Sequence, residues 1–397
     1  MTLRYRLLLL ILVGLACHND SGAPMAPPPP GPQPVLVATV PIPPNYGIHD
    51  TFVRDRLAFV FAWNSGVMIY DVGNGVRGGS PSNPVLVGQL VTSASNINGG
   101  PAVHNGWWFW SPDTTVGKRY LFIGQEGPTV IGTSSSGLIH VVDVSDLTNP
   151  KEVAFFHKAG ADSTGTHNFW MDEANQILYA AYYNGGVVAL DVSGTLSGDL
   201  GSRLIDSLRI GGAGNTFTWG VQLYNGSLYA IDFLSGLWQL NTNKGVVSVA
   251  AGGNNESPRY SSDFWVSGGY AYSGTWDWQR RTNQSGAMLK VWQLAAGAGA
   301  PAAVDSIITP SISAVSDVKV SSNGKVVMFS AEGGANSGLY LYGLGNPAHP
   351  TFLAYYPVSA GLHTVSFGYI NGNVYAFAAR NPGNPALMIF DVTSLVQ

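Results

Sequence analysis

Residues His167 to Ser193 read HNFWMDEANQILYAAYYNGGVVALDVS, and the chain after residue 34 is built from variations on this stretch. It holds three short runs of β type, His167 to Met171, Ile177 to Tyr183 and Gly186 to Val192. The turn-formers Asp172 to Asn175 and Asn184-Gly185 separate them. The third run ends in Leu190-Asp191-Val192-Ser193, and Ile69-Tyr70-Asp71-Val72, Val142-Asp143-Val144-Ser145 and Phe390-Asp391-Val392-Thr393 repeat that ending. Recurrence of one short multi-strand unit predicts a repeat architecture.

The fullest copy adds a fourth run, Glu152 to His157, after the turn at Asn149-Pro150. Four antiparallel strands in a meander make a propeller blade, which buries its two faces only against neighbouring blades. The opening of the unit recurs at His49-Asp50, His104-Asn105, His167-Asn168, Ser262-Asp263, Ser316-Asp317 and His363-Thr364, with a degraded copy at Thr218-Trp219. The steps between openings are 55, 63, 51, 44, 54 and 47 residues. They bracket the roughly 40 to 50 residues of known propeller repeats. The expected fold is all-β: a seven-bladed β-propeller of four-stranded antiparallel blades. The last copy stops at its third strand, and Pro34-Val35-Leu36-Val37 repeats the Pro84-Val85-Leu86-Val87 that begins a fourth strand. Residues 34 to 41 are therefore expected to complete the last blade and close the ring.

In these motifs the chain resembles the LVIVD-repeat propellers, mostly bacterial surface and secreted proteins, whose repeat runs His-Asp-Val, Leu-Tyr-Val-Ala and then Val-Asp-Val-Ser with Asn-Pro. The resemblance spans about residues 34 to 393, and it implies the architecture without implying a chemistry. Trp238-Gln239-Leu240-Asn241 and Val291-Trp292-Gln293-Leu294 depart from the apolar-Asp-Val ending.

No polar linker interrupts residues 34 to 397, so they read as one domain, a monomer. Charged residues are 11% of the chain and Gly numbers 50, as suits sheet with many turns. A net charge of −4 argues against a nucleic-acid partner. Residues 1 to 17 read as a targeting segment, because Arg4 and Arg6 precede an apolar run, Leu7 to Ala16, that is too short to span a bilayer. Cys17 is the sole cysteine, and Gly14-Leu15-Ala16-Cys17 resembles a bacterial lipoprotein cleavage box. Lipidation of Cys17 would anchor an exported chain to the outer membrane or cell surface, with plain secretion as the alternative. The Pro-rich residues 18 to 33 read as a tether holding the propeller off the membrane.

Connections in a meander alternate between faces. The blade openings therefore share a face with the turns between second and third strands. That face is expected to gather His49, His104, His167 and His363 near the axis, with Glu126, Trp276, Asp277, Arg280, Arg281, Glu332 and Arg380 in the loops around them. Four histidines on separate strands are a possible divalent-metal set, since neutral imidazole is the commonest metal-ligand side chain. The reading preferred from sequence is structural. Ser262 and Ser316 fill the same slot, as a local turn hydrogen bond would allow. Glu126 and Glu332 precede glycines and are expected to be solvated. The aromatics Trp107, Trp108, Trp110, Phe169, Trp170, Phe264 and Trp265 are expected in the core. Arg280-Arg281 beside Trp276 reads as a recognition patch.

No G-x-S-x-G elbow, H-E-x-x-H, P-loop or EF-hand loop occurs, so no catalytic residue and no cofactor is assigned. The expected function is binding or scaffolding, the loop-rich face meeting a protein, glycan or small ligand. The alternative is a metal-dependent or hydrolytic enzyme with its site at the mouth of the axial channel.

Overall fold

The computed structural model describes residues 31–43, 47–93, 100–159, 163–256, 259–277, 286–295, 297, 299–380 and 384–397. Cys17, most of the expected tether, Arg280 and Arg281 lie outside the described residues. Regular structure among the described residues is strand throughout, apart from single helical turns at Gly201–Arg203 and Thr393–Val396.

The strands form antiparallel meanders, each opening where the repeat does. Asp50–Arg54, Leu57–Phe61, Val67–Asp71 and Val85–Leu90 lie side by side in chain order. Val103–Trp108, Tyr120–Gln125, Ile139–Asp143 and Lys151–Phe156 do the same, with a short fifth strand, Gly198–Asp199, parallel on the outer edge. Phe169–Asp172, Ile177–Ala181, Val187–Asp191 and Leu204–Leu208 follow, then Thr218–Tyr224, Ser227–Asp232, Gly236–Asn243 and Val246–Gly252. Tyr260–Ser267, Tyr270–Trp276, Met288–Gln293 and Ala302–Ile308 touch the next meander through one register pair, Trp276 with Ala314. That next meander is Ala314–Val320, Val326–Glu332, Gly338–Gly343 and Thr351–Pro357. Finally Val365–Ile370, Asn373–Arg380 and Ala386–Asp391 take their outer strand, Val35–Pro41, from the other end of the chain.

The recurring Asp-Val-Ser ending has a local cause. Asp143, Asp191 and Asp391 each accept a hydrogen bond from the backbone N–H two residues on, at 2.9 Å, which turns the chain out of its third strand. The following valines, Val144, Val192 and Val392, are buried. The outer strands share a second device. Each carries one extra residue opposite the third strand: Val87, Val153, Ile205, Ala250, Val304, Leu353 and, on the strand from the far end, Val37. Such a bulge bends a strand and increases its twist. Pro34, Pro84, Pro150, Pro301 and Pro350 each stand three residues before it, at the start of the strand, where a missing N–H costs no ladder bond.

The middle strands are buried on both faces; Leu57–Phe61 has no exposed residue. Apolar side chains of successive meanders meet in shared layers. Phe59 and Phe61, for example, pack with Leu121, Ile123 and Val142 of the next meander. The result is an all-β, propeller-like fold whose innermost strands open toward a common centre.

Candidate functional site

At the opening of each innermost strand two consecutive residues oppose one on the second strand. The register skips between Val103 and Asn105, Thr218 and Gly220, Ser261 and Phe264, and Val315 and Val318. His167 donates its N–H to Ala181, whose own N–H returns to Asn168; Ala379 does the same between His363 and Thr364. The bulge turns both members of the dipeptide inward, and strand alternation returns to the centre two residues later. Three tiers result around a cavity of about 300 Å³. The first holds His49, His167, Trp219, Ser316 and His363, with His104 packed among them. The second holds Asp50, Asn105, Asn168, Asp263, Asp317 and Thr364, and the third Phe52, Trp107, Trp170, Gln222, Trp265, Lys319 and Ser366. Gly220 fills the second-tier slot of its strand, where a Cβ would lie 2.9 Å from the Asp263 carboxylate.

In the first tier the four histidines touch ring to ring. Centroids of His49 and His104 are 3.7 Å apart, those of His104 and His167 4.3 Å, and those of His49 and His363 4.2 Å. The Nε2 atoms of His363 and His49 are 2.7 Å apart. Glu126 places Oε2 3.7 Å from both His49 Nε2 and His104 Nε2, while its Oε1 accepts the Tyr183 hydroxyl. Glu332 pairs with His363 Nδ1 and accepts a 2.6 Å bond from Ser316 Oγ. Trp63 and Trp276 stand edge-on to His49 and His363.

Burial dominates the electrostatics here. It drives His49 and His167 well below the usual imidazole range and His104 down to about 3, so these rings are neutral. Burial pulls His363 the same way, but Glu332 outweighs it and His363 stands at about 8. Glu126 is pushed up to about 7 by burial, against the Tyr183 hydrogen bond.

Below the histidines, Lys319 Nζ bridges Asp317 and Asp263, the latter at 3.1 Å. Burial raises Asp263 to about 8 and Asp50 to about 7, in both cases with the Asp317 charge adding and Lys319 opposing. Asp317 goes the other way, because Lys319 and its hydrogen bonds overcome burial. The ammonium is thus balanced chiefly by Asp317, while Asp263 and Asp50 beside it are pushed toward their neutral forms.

The structure brings together His49, His104, His167, His363, Glu126, Trp276 and Glu332. Arg380 stands apart, its Nε donating to the Asn384 carbonyl. Two expectations are corrected. Glu126 is not a solvated loop residue; it is 6% exposed and faces the imidazoles, because the turn after its strand folds over the centre. His167 and His363 do not make local turn hydrogen bonds either. His167 Nδ1 faces the carbonyl of Trp219, 52 residues away, His363 pairs with Glu332, and neither ring nitrogen of His104 has a partner of hydrogen-bond geometry. Of the aromatics, Trp108, Phe169 and Phe264 are buried, and Phe169 and Phe264 line the cavity together with the half-buried Trp107, Trp170 and Trp265. Sequence reading missed Lys319 with its carboxylates, although counting two residues on from each opening finds it.

Comparison with known proteins agrees with this architecture. The LVIVD repeat family matches residues 131–157 and 258–278, so LVIVD repeats are present. No curated protein matches the chain. Among solved structures it is similar to U3-55K (12% identity, TM-score 0.62, 91% of this chain and 100% of that one). It is also similar to the WD40 β-propeller domain of Doa1 (10%, 0.60, 90% and 97%) and to the β-propeller domain of Cps50 (Swd1) from Myceliophteria thermophila (11%, 0.60, 91% and 100%). At these identities the likeness is one of fold: the chain has a β-propeller fold carrying LVIVD repeats.

Proposed function

We propose that this chain is a binding propeller that takes a small organic ligand into its axial cavity. The observation that carries the reading is the cavity's lining: apolar ring faces at Phe52, Trp107, Trp170 and Trp265 on one side, and the polar tier of Asp50, Asp263 and Asp317 on the other. Ligand sites are typically concave and mostly apolar, with a few convergent polar groups that fix orientation. A flat or ring-shaped ligand would stack on the indoles and hydrogen-bond to the neutral carboxyls. Propeller folds with repeats also suit interaction and scaffolding, so the rim is available for a protein or glycan.

In this reading the meanders are seven blades in a closed ring, with Val35–Pro41 as the outer strand of the last. Its bulge at Val37 and its preceding Pro34 match the other outer strands, which supports the assignment. Cys17 is the lipid-anchored first residue of an exported, monomeric protein, supported by the apolar run before it and the Pro-rich segment after it.

The test is tryptophan fluorescence and calorimetry with monosaccharides, nucleosides and aromatic acids on wild type and Trp170→Ala. Saturable binding that weakens in the variant is expected. Binding by none of these classes, or binding unchanged in Trp170→Ala, would overturn the cavity as the site. The enzyme reading is favoured by one feature, the donor cluster at the histidine end of the cavity.

A further inference from the structure

An organic ligand stacked on the third tier leaves the histidine end unexplained. His49, His104 and Glu126 each present one donor atom, all within 4.8 Å of one another, and all three residues are buried. His104 is 1% exposed, yet among the described residues neither of its ring nitrogens, nor His49 Nδ1, meets a partner in good hydrogen-bond geometry; the nearest polar neighbours are the Asn105 side chain and the His104 backbone. Leaving a buried polar atom unpaired costs about 1–3 kcal/mol, so a purely structural role would be better filled by apolar side chains. Two imidazoles and one carboxylate are a recurrent donor set for first-row transition metals, with positions left open for a further ligand.

We propose that His49, His104 and Glu126, joined by His363, bind a divalent first-row transition-metal ion at the histidine end of the cavity. Donors around a tetrahedral ion at about 2.1 Å lie about 3.4 Å apart. The separations here flank that value: 3.7 Å from Glu126 to each of His49 and His104, and 2.7 Å between the Nε2 atoms of His363 and His49. Glu126 needs to close by about 0.3 Å on each of His49 and His104, whereas His363 and His49 must part by about 0.7 Å. His363 lies outside the set whose donors are all within 4.8 Å, so it joins by a larger movement. The outer partners are in place as well. Tyr183 holds Glu126 Oε1 and leaves Oε2 facing the imidazoles, and Glu332 holds His363 Nδ1 and leaves Nε2 facing inward. Carboxylates and hydroxyls in such positions orient metal ligands. A divalent ion would displace the proton of His363 and leave Glu126 ionised, and its charge then balances Glu126 and Glu332. The proposal goes beyond the organic ligand, because metal uptake is measurable with none present.

The test uses the full chain in detergent, stripped with a chelator and titrated with Co²⁺, whose visible absorption reports its ligands. One equivalent per chain is expected, and Zn²⁺ should displace it. His104→Ala and Glu126→Gln should lose the signal, Tyr183→Phe should weaken binding roughly 10- to 100-fold, and His349→Ala, a surface change, should leave it intact. Circular dichroism and melting confirm the fold of each variant, and Tyr183→Phe keeps the test decisive where His104→Ala misfolds. A folded wild type that takes up no stoichiometric Co²⁺ or Zn²⁺ overturns the proposal, as does Co²⁺ binding unchanged in Glu126→Gln and Tyr183→Phe. Fluorescence with the organic probes is repeated on the stripped protein, so Co²⁺ uptake without probe binding sinks the cavity reading alone, and the converse sinks the metal site alone.

Discussion

Lys319 reaches from one innermost strand to Asp263 on the neighbouring one, 3.1 Å away, while Asp317 of its own strand holds the same ammonium. Because Asp317 takes the ionised role, Asp263 stays protonated up to about pH 8, whereas an unfolded aspartate ionises near 3.9. From about pH 4 to pH 8 the folded chain therefore binds one proton more than the unfolded chain at this position. Stability falls as pH rises through that window, by at most about 1.4 kcal/mol per pH unit, and levels off above it. Asp263→Asn should remove this slope, so its melting temperature should gain on wild type between pH 5 and pH 8. Calorimetry across that range checks it, and parallel curves would contradict it.

Removing residues 34 to 41 should destabilise the fold sharply. The strand Val35–Pro41 supplies Val37, Ala38 and Val40 to the layer around Ile389 and covers the edge of Ala386–Asp391. A fully buried apolar side chain contributes roughly 1.5–3 kcal/mol; these are partly buried, so several kcal/mol in total is expected. The exposed edge should also promote aggregation. Scanning calorimetry with light scattering reads both effects, and an unchanged melting temperature would show that this strand does not secure the fold.

Chelation should separate metal-linked from intrinsic stability. If an ion is held at His49, His104 and Glu126, stripping wild type should lower its melting temperature. An ion present at 100 times its Kd contributes about 2.7 kcal/mol. In His104→Leu the melting temperature should not respond to the chelator. The stripped variant should be as stable as stripped wild type or more so, because it replaces an imidazole with two unpartnered nitrogens. Equal chelator responses in the two proteins would count against the site.

Much of the fold was legible because it is written several times. The Asp-Val-Ser turns and the His-Asp openings recur at blade spacing, and the match of Pro34 to Val37 with Pro84 to Val87 placed the first strand beside the last before any coordinate was needed. The centre was less legible. Glu126 follows its strand just as an exposed turn residue does, and only the curl of that turn over the axis buries it. Lys319 sits in a slot that Phe52, Trp107, Trp170 and Trp265 fill with aromatics in other copies. The exception was the signal, and aligning the copies two residues on from each opening exposes it; the opening bulge explains why that slot faces inward.

Cys17→Ala should move the protein from the detergent phase to the aqueous phase. One acyl chain holds weakly and two or more hold firmly, so a triply acylated cysteine should keep wild type with the membrane. Phase partitioning of cell extracts decides this, and identical partitioning of the two proteins would remove the anchor.

The antiparallel pairing of Val35–Pro41 with Ala386–Asp391 also sets an order of events during biogenesis. The two strands are made far apart in time, and joining positions roughly 350 residues apart costs about 4 kcal/mol of chain entropy beyond that of a local hairpin. The seam is therefore the last of these junctions to form. Until the final segment arrives, the nascent chain carries an unsealed edge at each end, and these intermediates are the ones a chaperone would have to guard.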